Sequence, residues 1–303
     1  MQYKNFLKLL ALTLLVSGAM LLGGCGDTAD KNNQKISIVT SFYPMYLDVI
    51  NITQGIEGVE VKNLTQPQTG CLHDYQLTTE DMKTLSEADI LVVNGAGMEN
   101  FLEKVAKENK NLQIIEAAAT DKITFIEDEH GEINPHVWMS VTYAKWQVEA
   151  ITFKLCELDP THDKEYRKNA LDYVNKLDAL REEMHSKLDN LPHKDIVTFH
   201  EAFPYFAKEF KLNIVGVIEG EPGTEPTPKE LEDIIAKVRA HPTCALFTEP
   251  QYSPKAAEAI ARETGAAIYS LDPVVTGESL PENRDAYLKT MEQNAEVLVK
   301  ALQ

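Results

Sequence analysis

Apolar residues follow two different periods along the chain after residue 35. Short β-rich runs are followed by segments whose apolar residues recur at three and four positions, as on one face of a helix. In the first half the predicted strands are Lys35–Ser41, Val59–Thr65, Ile90–Asn94 and Gln113–Ala117. The predicted helices are Tyr43–Thr53, Thr79–Ala88, Glu99–Lys107 and Val141–Leu158. This order predicts a mainly parallel sheet with helices on both faces.

The second half repeats the alternation without obvious sequence identity to the first. Its predicted strands are Asp195–Phe199, Asn213–Val217, Cys244–Thr248 and Ala267–Leu271. The predicted helices are Ala202–Phe210, a helix ending at Arg239, Pro254–Thr264 and Arg284–Leu302. Thr227-Pro228-Lys229-Glu230 is typical of a capping box with proline in the first turn, which predicts the start of the second of these helices.

A long amphipathic segment, Thr161–Asn190, separates the two halves. Its apolar residues recur at three and four positions: Tyr166, Ala170, Tyr173, Val174, Leu177, Leu180, Met184 and Leu188. A helix of this length would span about 45 Å. We expect it to be a rigid connection between two lobes, and the alternative is an ordinary packed helix of a single domain.

The first residues are typical of an export signal. Lys4 and Lys8 precede an apolar stretch, Leu9–Leu22, that is too short to span a membrane comfortably. Leu22-Gly23-Gly24-Cys25 follows, and small residues before a cysteine favour a bacterial lipoprotein signal with lipidation at Cys25. The alternative is an ordinary signal peptide with an incidental cysteine. The polar residues after Cys25 predict a flexible tether.

These features predict an α/β protein with two lobes, each with a mainly parallel sheet, joined by one long rigid helix. The predicted segments are a signal peptide (1–24), a tether (25–35), an N-terminal lobe (36–158), a linker helix (159–191) and a C-terminal lobe (192–303). The formal charge of −18 argues against a nucleic-acid partner and weakly favours cations.

The cysteine content excludes a disulfide-rich scaffold. With Cys25 lipidated, only Cys71, Cys156 and Cys244 remain. Because this number is odd, at least one of the three is free or pairs with another chain.

Three histidines lie in short polar or aromatic motifs beside predicted strands, and an aspartate follows the strand Ala267–Leu271. These residues are His73, His136, His200 and Asp272. In parallel α/β sheets, ligands bind beyond the carboxyl ends of the strands, so we expect these side chains to meet in a cleft between the lobes. Imidazole nitrogens and a carboxylate suit a divalent cation, and zinc above all. The other five histidines lie on or beside the long helix or in loops.

Several motifs together make the chain resemble the zinc/manganese-type substrate-binding lipoproteins of bacterial ABC transporters. The motifs are Thr40-Ser41-Phe42-Tyr43-Pro44-Met45, His73-Asp74-Tyr75, Asn134-Pro135-His136-Val137-Trp138, Phe199-His200-Glu201-Ala202-Phe203-Pro204-Tyr205-Phe206, Thr248-Glu249-Pro250-Gln251 and Leu271-Asp272-Pro273. The resemblance implies two lobes joined by a single helix, with His73, His136, His200 and Asp272 as metal ligands. A histidine at the third of these positions resembles the zinc-type members, whereas manganese-type members carry a glutamate there.

The chain departs from the family pattern at Gly70-Cys71-Leu72-His73, where the family commonly has proline before the histidine. Side chains two residues apart on an extended segment point the same way, so Cys71 is a candidate auxiliary ligand or redox-sensitive group. The alternative is a buried or disulfide-paired cysteine. The acidic segment 127–132 could capture a cation weakly, or it could be a solvated loop.

The sequence therefore predicts a receptor that captures zinc, with manganese as the alternative ion, and delivers it to an ABC permease. We expect it to be exported, anchored to the outer face of the cell membrane through Cys25, monomeric and not an enzyme. Asp74, Glu201 and Glu249 are the expected partners of the imidazole rings.

Two further interpretations belong to other classes of protein. One is a zinc hydrolase, with Asp272 outside the metal shell and Glu201 as the general base. Such an enzyme would keep one coordination position open. The other is a surface adhesin or structural lipoprotein that uses the metal to stabilise its fold.

Overall fold

The computed structural model describes residues 35–72, 75–127, 131–219 and 225–303. The described residues form two parallel four-stranded sheets with helices packed around them. The predicted α/β class is confirmed. The predicted export signal, Cys25 and most of the tether lie outside the described residues, and the domain boundaries stay predictions.

The first sheet contains strands β1 (Ile36–Thr40), β2 (Val59–Asn63), β3 (Ile90–Val93) and β4 (Gln113–Glu116) in the order β2-β1-β3-β4. Its helices are α1 (Tyr43–Ile52), α2 (Thr79–Ser86), α3 (Leu102–Glu108) and α4 (Val141–Leu158). All pairings are parallel. The chain leaves β1 toward one edge and returns to the other side of β1 as β3, which makes the carboxyl ends of β1 and β3 a topological switch point.

A short 3₁₀ turn (Pro160–His162) leads from α4 into the long helix α5 (Asp163–Leu188). The helix has 26 residues, somewhat fewer than the predicted 161–190. The Asp159 side chain accepts a hydrogen bond from the Thr161 backbone and fixes the turn. The apolar residues that recur along α5 are buried, and α5 packs against α4 and α1 of the first half.

The second sheet repeats the same topology. Its strands are β5 (Asp195–Thr198), β6 (Asn213–Val217), β7 (Ala245–Thr248) and β8 (Ile268–Ser270), in the order β6-β5-β7-β8, and all pairings are parallel. The helices are α6 (Pro204–Phe210), α7 (Pro228–Ala240), α8 (Lys255–Thr264) and α9 (Ala286–Leu302), and α9 also packs on α5. The predicted capping box at Thr227 and Glu230 is confirmed.

Several predicted helices begin one to three residues too early, and the largest difference has a structural reason. The predicted helix Glu99–Lys107 begins only at Leu102, because Glu99 turns back toward the end of β3. Its carboxylate accepts hydrogen bonds from the backbone N–H groups of Asn94 and Gly95.

The segment around His136 contacts the second half at several points. The Trp138 indole donates a hydrogen bond to the Pro273 carbonyl at 2.9 Å, and the Tyr205 hydroxyl donates to the Asn134 carbonyl at 2.7 Å. The Tyr287 hydroxyl donates to the Trp138 carbonyl at 2.7 Å. The backbone that carries His136 is therefore positioned by side chains from the second half.

The Glu209 carboxylate joins the start of α4 to α5 and α6. It accepts hydrogen bonds from the hydroxyls of Ser140 and Thr142, both at 2.6 Å, and from the Arg181 guanidinium at 3.2 Å. Ser140 is also the N-cap of α4. This network fixes the helix that begins just after the His136 segment.

In the ranges described above, the helices are too short or too polar to cross a lipid bilayer.

Candidate metal centre

Three potential metal-ligating atoms converge where loops of the two halves meet. They are the sulfur of Cys71 and one ring nitrogen each of His136 and His200, and all lie within 4.8 Å of one another. Cys71 Sγ lies 3.4 Å from Nε2 of His136 and 3.4 Å from Nε2 of His200. Both imidazoles are almost completely buried, with 2% and 1% of their surface exposed. Two nitrogens and one sulfur around one point form a donor set suited to zinc.

His200 lies at the switch point of the second sheet. It follows β5 by two residues, and Glu249 directly follows the neighbouring strand β7. His200 Nδ1 lies 2.6 Å from Glu249 Oε1, and the other carboxylate oxygen accepts a hydrogen bond from Gln251. The carboxylate can only accept, so His200 carries its proton on Nδ1 and directs the Nε2 lone pair at the cluster.

His136 is oriented in the same way by Asn134, two residues earlier. Asn134 Oδ1 lies 3.1 Å from His136 Nδ1, while Asn134 Nδ2 donates to the Glu201 backbone carbonyl at 2.8 Å. The second contact assigns the amide orientation, so Oδ1 is the acceptor and His136 Nδ1 carries the proton. The Nε2 lone pair of this ring also faces the cluster.

A chain of buried hydrogen bonds connects the switch point of the first sheet to the His136 segment. Ser41, after β1, and the backbone of Asn94, after β3, both donate hydrogen bonds to Glu99 Oε1 at 2.8 Å. The Asn94 side chain then donates to the Pro135 carbonyl at 2.9 Å. Sequence reasoning missed Asn134, Ser41, Asn94 and Glu99. The signal for Asn134 was its spacing of two residues from His136 on an extended segment.

Cys71 lies in a segment that packs against Tyr252. The Tyr252 hydroxyl lies against Gly70, the residue before Cys71, and the Tyr252 ring lies 5.7 Å from the His200 ring. Leu72 is fully buried in the core, so the alternation of side chains turns Cys71 toward the cluster. Burial and the nearby Glu249 carboxylate raise the pKa of the Cys71 thiol well above its ordinary value. The free thiol is therefore protonated at neutral pH.

The remaining predicted site residues have different positions. Asp272 is outside the set of three converging atoms. Burial, and to a smaller extent the Glu249 charge, raise the pKa of its carboxyl, and the hydrogen bond from the Val274 backbone opposes this shift. Its side chain accepts a hydrogen bond from the Val274 backbone. The Glu201 side chain is exposed, and its backbone carbonyl contacts Asn134.

Other predicted residues cannot be placed or lie elsewhere. His73 and Asp74 lie outside the described residues, as does part of the acidic segment 127–132, whose Glu127 forms an antiparallel bridge with Ile133. Cys71, Cys156 and Cys244 are all free, which agrees with the expected spare thiol.

Comparison with known proteins identifies the family. The family described as zinc-uptake complex component A, periplasmic (ZnuA), matches residues 38–301. The chain belongs to this family. It is a family of solute-binding proteins of metal ABC transporters and not of enzymes, so the resemblance noted from the motifs is confirmed. This family membership does not favour the hydrolase or the adhesin alternative. It also places the protein outside the cytoplasm.

Individual relatives cover nearly the whole chain. The high-affinity zinc uptake system protein ZnuA of Bacillus subtilis is 28% identical over 98% of both chains. A zinc-bound ZnuA deletion mutant of known structure is 30% identical, covering 88% of this chain and 98% of its own, with a TM-score of 0.77. The nickel complex of FpvC from Pseudomonas aeruginosa is also 30% identical, covering 89% and 97%, with a TM-score of 0.79.

The buried Glu99 carboxyl gives a pH-dependent contribution to stability. Burial raises its pKa from 4.5 to about 7, although the hydrogen bonds from Asn94, Ser41 and Gly95 partly oppose the shift. The folded protein then binds more protons at Glu99 than the unfolded chain does between these two pH values. The contribution of Glu99 to the free energy of unfolding therefore falls as the pH rises from 4.5 to about 7.

We expect Glu99→Gln to remove this dependence. Between pH 4.5 and about pH 7, the wild type should lose about 2–3 kcal/mol of unfolding free energy relative to the variant. Urea unfolding of both proteins across this range measures the difference, and the comparison cancels the titration of all other groups. Two parallel pH profiles would show that folding does not raise the pKa of Glu99.

Proposed function

We propose that this protein captures zinc in the cleft between its two halves and delivers it to an ABC permease in the membrane. The observation that carries the proposal is the convergence of the His136 and His200 Nε2 lone pairs, one from each half, on one buried point. Each ring donates its other N–H to a fixed acceptor, an arrangement typical of histidines that bind metal ions.

The proposed ligands are His136 and His200, together with His73 and Asp272 on the strength of the family resemblance. Nitrogen donors suit zinc better than manganese, which prefers carboxylate and water oxygens. Four protein ligands complete a tetrahedral shell and leave no position for a reacting water. This is what a receptor requires, because the ion must be held and then released unchanged.

Release to the permease requires the two halves to separate locally. The His136 segment is tied to the second half by Asn134 on the Glu201 carbonyl and by Trp138 on the Pro273 carbonyl. Because each tie is a neutral hydrogen bond worth about 1 kcal/mol, docking on a permease could break them without unfolding either sheet. Opening would expose His136 and His200 and withdraw one of them from the ion.

Zinc titration of the metal-free protein tests the proposal. The Trp138 ring lies 5.2 Å from the His136 ring, so its fluorescence should report binding. In a Trp146→Phe background, where Trp138 is the only tryptophan, we expect saturation at one equivalent of zinc. His136→Ala or His200→Ala should abolish tight binding, and Glu249→Gln should weaken it about 10–100-fold by loosening the His200 ring.

His241→Ala is the matched control, because this histidine also hydrogen-bonds a carboxylate, that of Asp195, but lies outside the cluster. It should bind zinc like the parent protein. Wild-type zinc affinity in both cluster variants would refute the proposed site, and failure of the parent protein to bind zinc or manganese would refute the proposed function.

The proposed attachment to the membrane rests on Leu22-Gly23-Gly24-Cys25 and concerns residues outside the described ranges. We propose that a lipid on Cys25 holds a monomeric receptor on the outer face of the cell membrane, close to its permease. Cys25→Ser should move the protein from the membrane fraction to the soluble extracytoplasmic fraction, with zinc affinity unchanged. A variant that stays in the membrane fraction would contradict lipid anchoring.

A further inference from the structure

The Cys71 sulfur occupies a position that fits a metal ligand. In a tetrahedral zinc site with Zn–S near 2.3 Å and Zn–N near 2.05 Å, sulfur and nitrogen lie about 3.6 Å apart. Cys71 Sγ lies 3.4 Å from both Nε2 atoms. A single ion could therefore contact all three atoms with only a small adjustment of the side chains.

The Cys71 sulfur lies beside the unprotonated nitrogen of both rings. Both rings carry their proton on Nδ1, as their contacts with Asn134 and Glu249 require, so Cys71 faces two lone pairs. One S–H group donates one proton and can serve one lone pair. A cation attracts both nitrogens and the sulfur at the same time.

The backbone next to Cys71 packs closely against the second half. The Tyr252 hydroxyl lies so close to Gly70 that a Cβ atom there would approach it to 2.9 Å. The Tyr252 ring is itself stacked on Phe199, next to His200. One side chain of the second half therefore packs against both the Cys71 segment and the His200 side of the cluster.

We propose that Cys71 is a zinc ligand and that its sulfur makes the protein select zinc over manganese. This inference rests on the proposed function and adds to it a donor that the family resemblance does not supply. As the Zn–S bond forms, the thiol proton passes to solvent. Thiolate sulfur favours zinc and disfavours manganese, which binds oxygen donors.

A sulfur ligand also changes the roles of the other candidate ligands. Cys71, His136 and His200 fill three positions of a tetrahedral shell, which leaves one position for either His73 or Asp272.

Cobalt(II) spectroscopy tests whether sulfur binds the ion, because cobalt replaces zinc and its thiolate complexes absorb strongly in the near ultraviolet. We expect the wild-type protein with one equivalent of cobalt to show the sulfur-to-cobalt charge-transfer band together with the visible bands of a tetrahedral ion. Cys71→Ser should lose the charge-transfer band, and Cys156→Ser, which changes a free cysteine outside the cluster, should keep it.

Competition titrations measure the selectivity. We expect Cys71→Ser to bind zinc at least about tenfold more weakly and to discriminate less between zinc and manganese. Tight cobalt and zinc binding by the wild type without a charge-transfer band would refute the role of Cys71 and leave the proposed function standing. No binding of either ion by the wild type would refute both. Circular dichroism of the Cys71→Ser protein checks that the variant is folded.

Discussion

The candidate centre depends on two hydrogen bonds that fix the protonated nitrogen of each imidazole. Glu249 holds Nδ1 of His200, and Asn134 holds Nδ1 of His136. Without these acceptors either ring could turn or change tautomer and present an N–H group to the ion. The two acceptors differ in charge. Glu249 adds a buried negative charge that attracts a cation, whereas Asn134 orients its ring without adding charge and is itself fixed by the Glu201 carbonyl.

The parallel sheets explain why the acceptors and ligands lie together. Both sheets have the same strand order, so each has a switch point at the carboxyl ends of two central strands. In the second sheet this point carries His200 and Glu249. In the first sheet it carries Ser41 and Asn94, which act through Glu99 and the Pro135 carbonyl on the segment of His136. The switch point of the second sheet therefore carries the candidate ligand His200 itself. The switch point of the first sheet acts on His136 only through hydrogen bonds to its backbone segment.

Much of the fold could be predicted from the sequence because periodicity and caps are local. Helix Val141–Leu158 and strand Asn213–Val217 were predicted to the residue. Two strands of the first sheet were predicted one residue too long, at Ser41 and Asn94, because these residues continue a β-rich run but leave the sheet to make contacts of the site. The Glu99 contacts join residues up to 58 positions apart, and no local pattern encodes them. Asn134 was within reach of the same two-residue argument that singled out Cys71.

The most direct test of the account is a crystal structure of the zinc-loaded protein with an anomalous-difference map at the zinc absorption edge. The account predicts one strong peak about 2.0–2.1 Å from Nε2 of both His136 and His200. A peak elsewhere on the protein, or one that contacts only one of these two nitrogens, would contradict a metal site shared by the two halves of the chain.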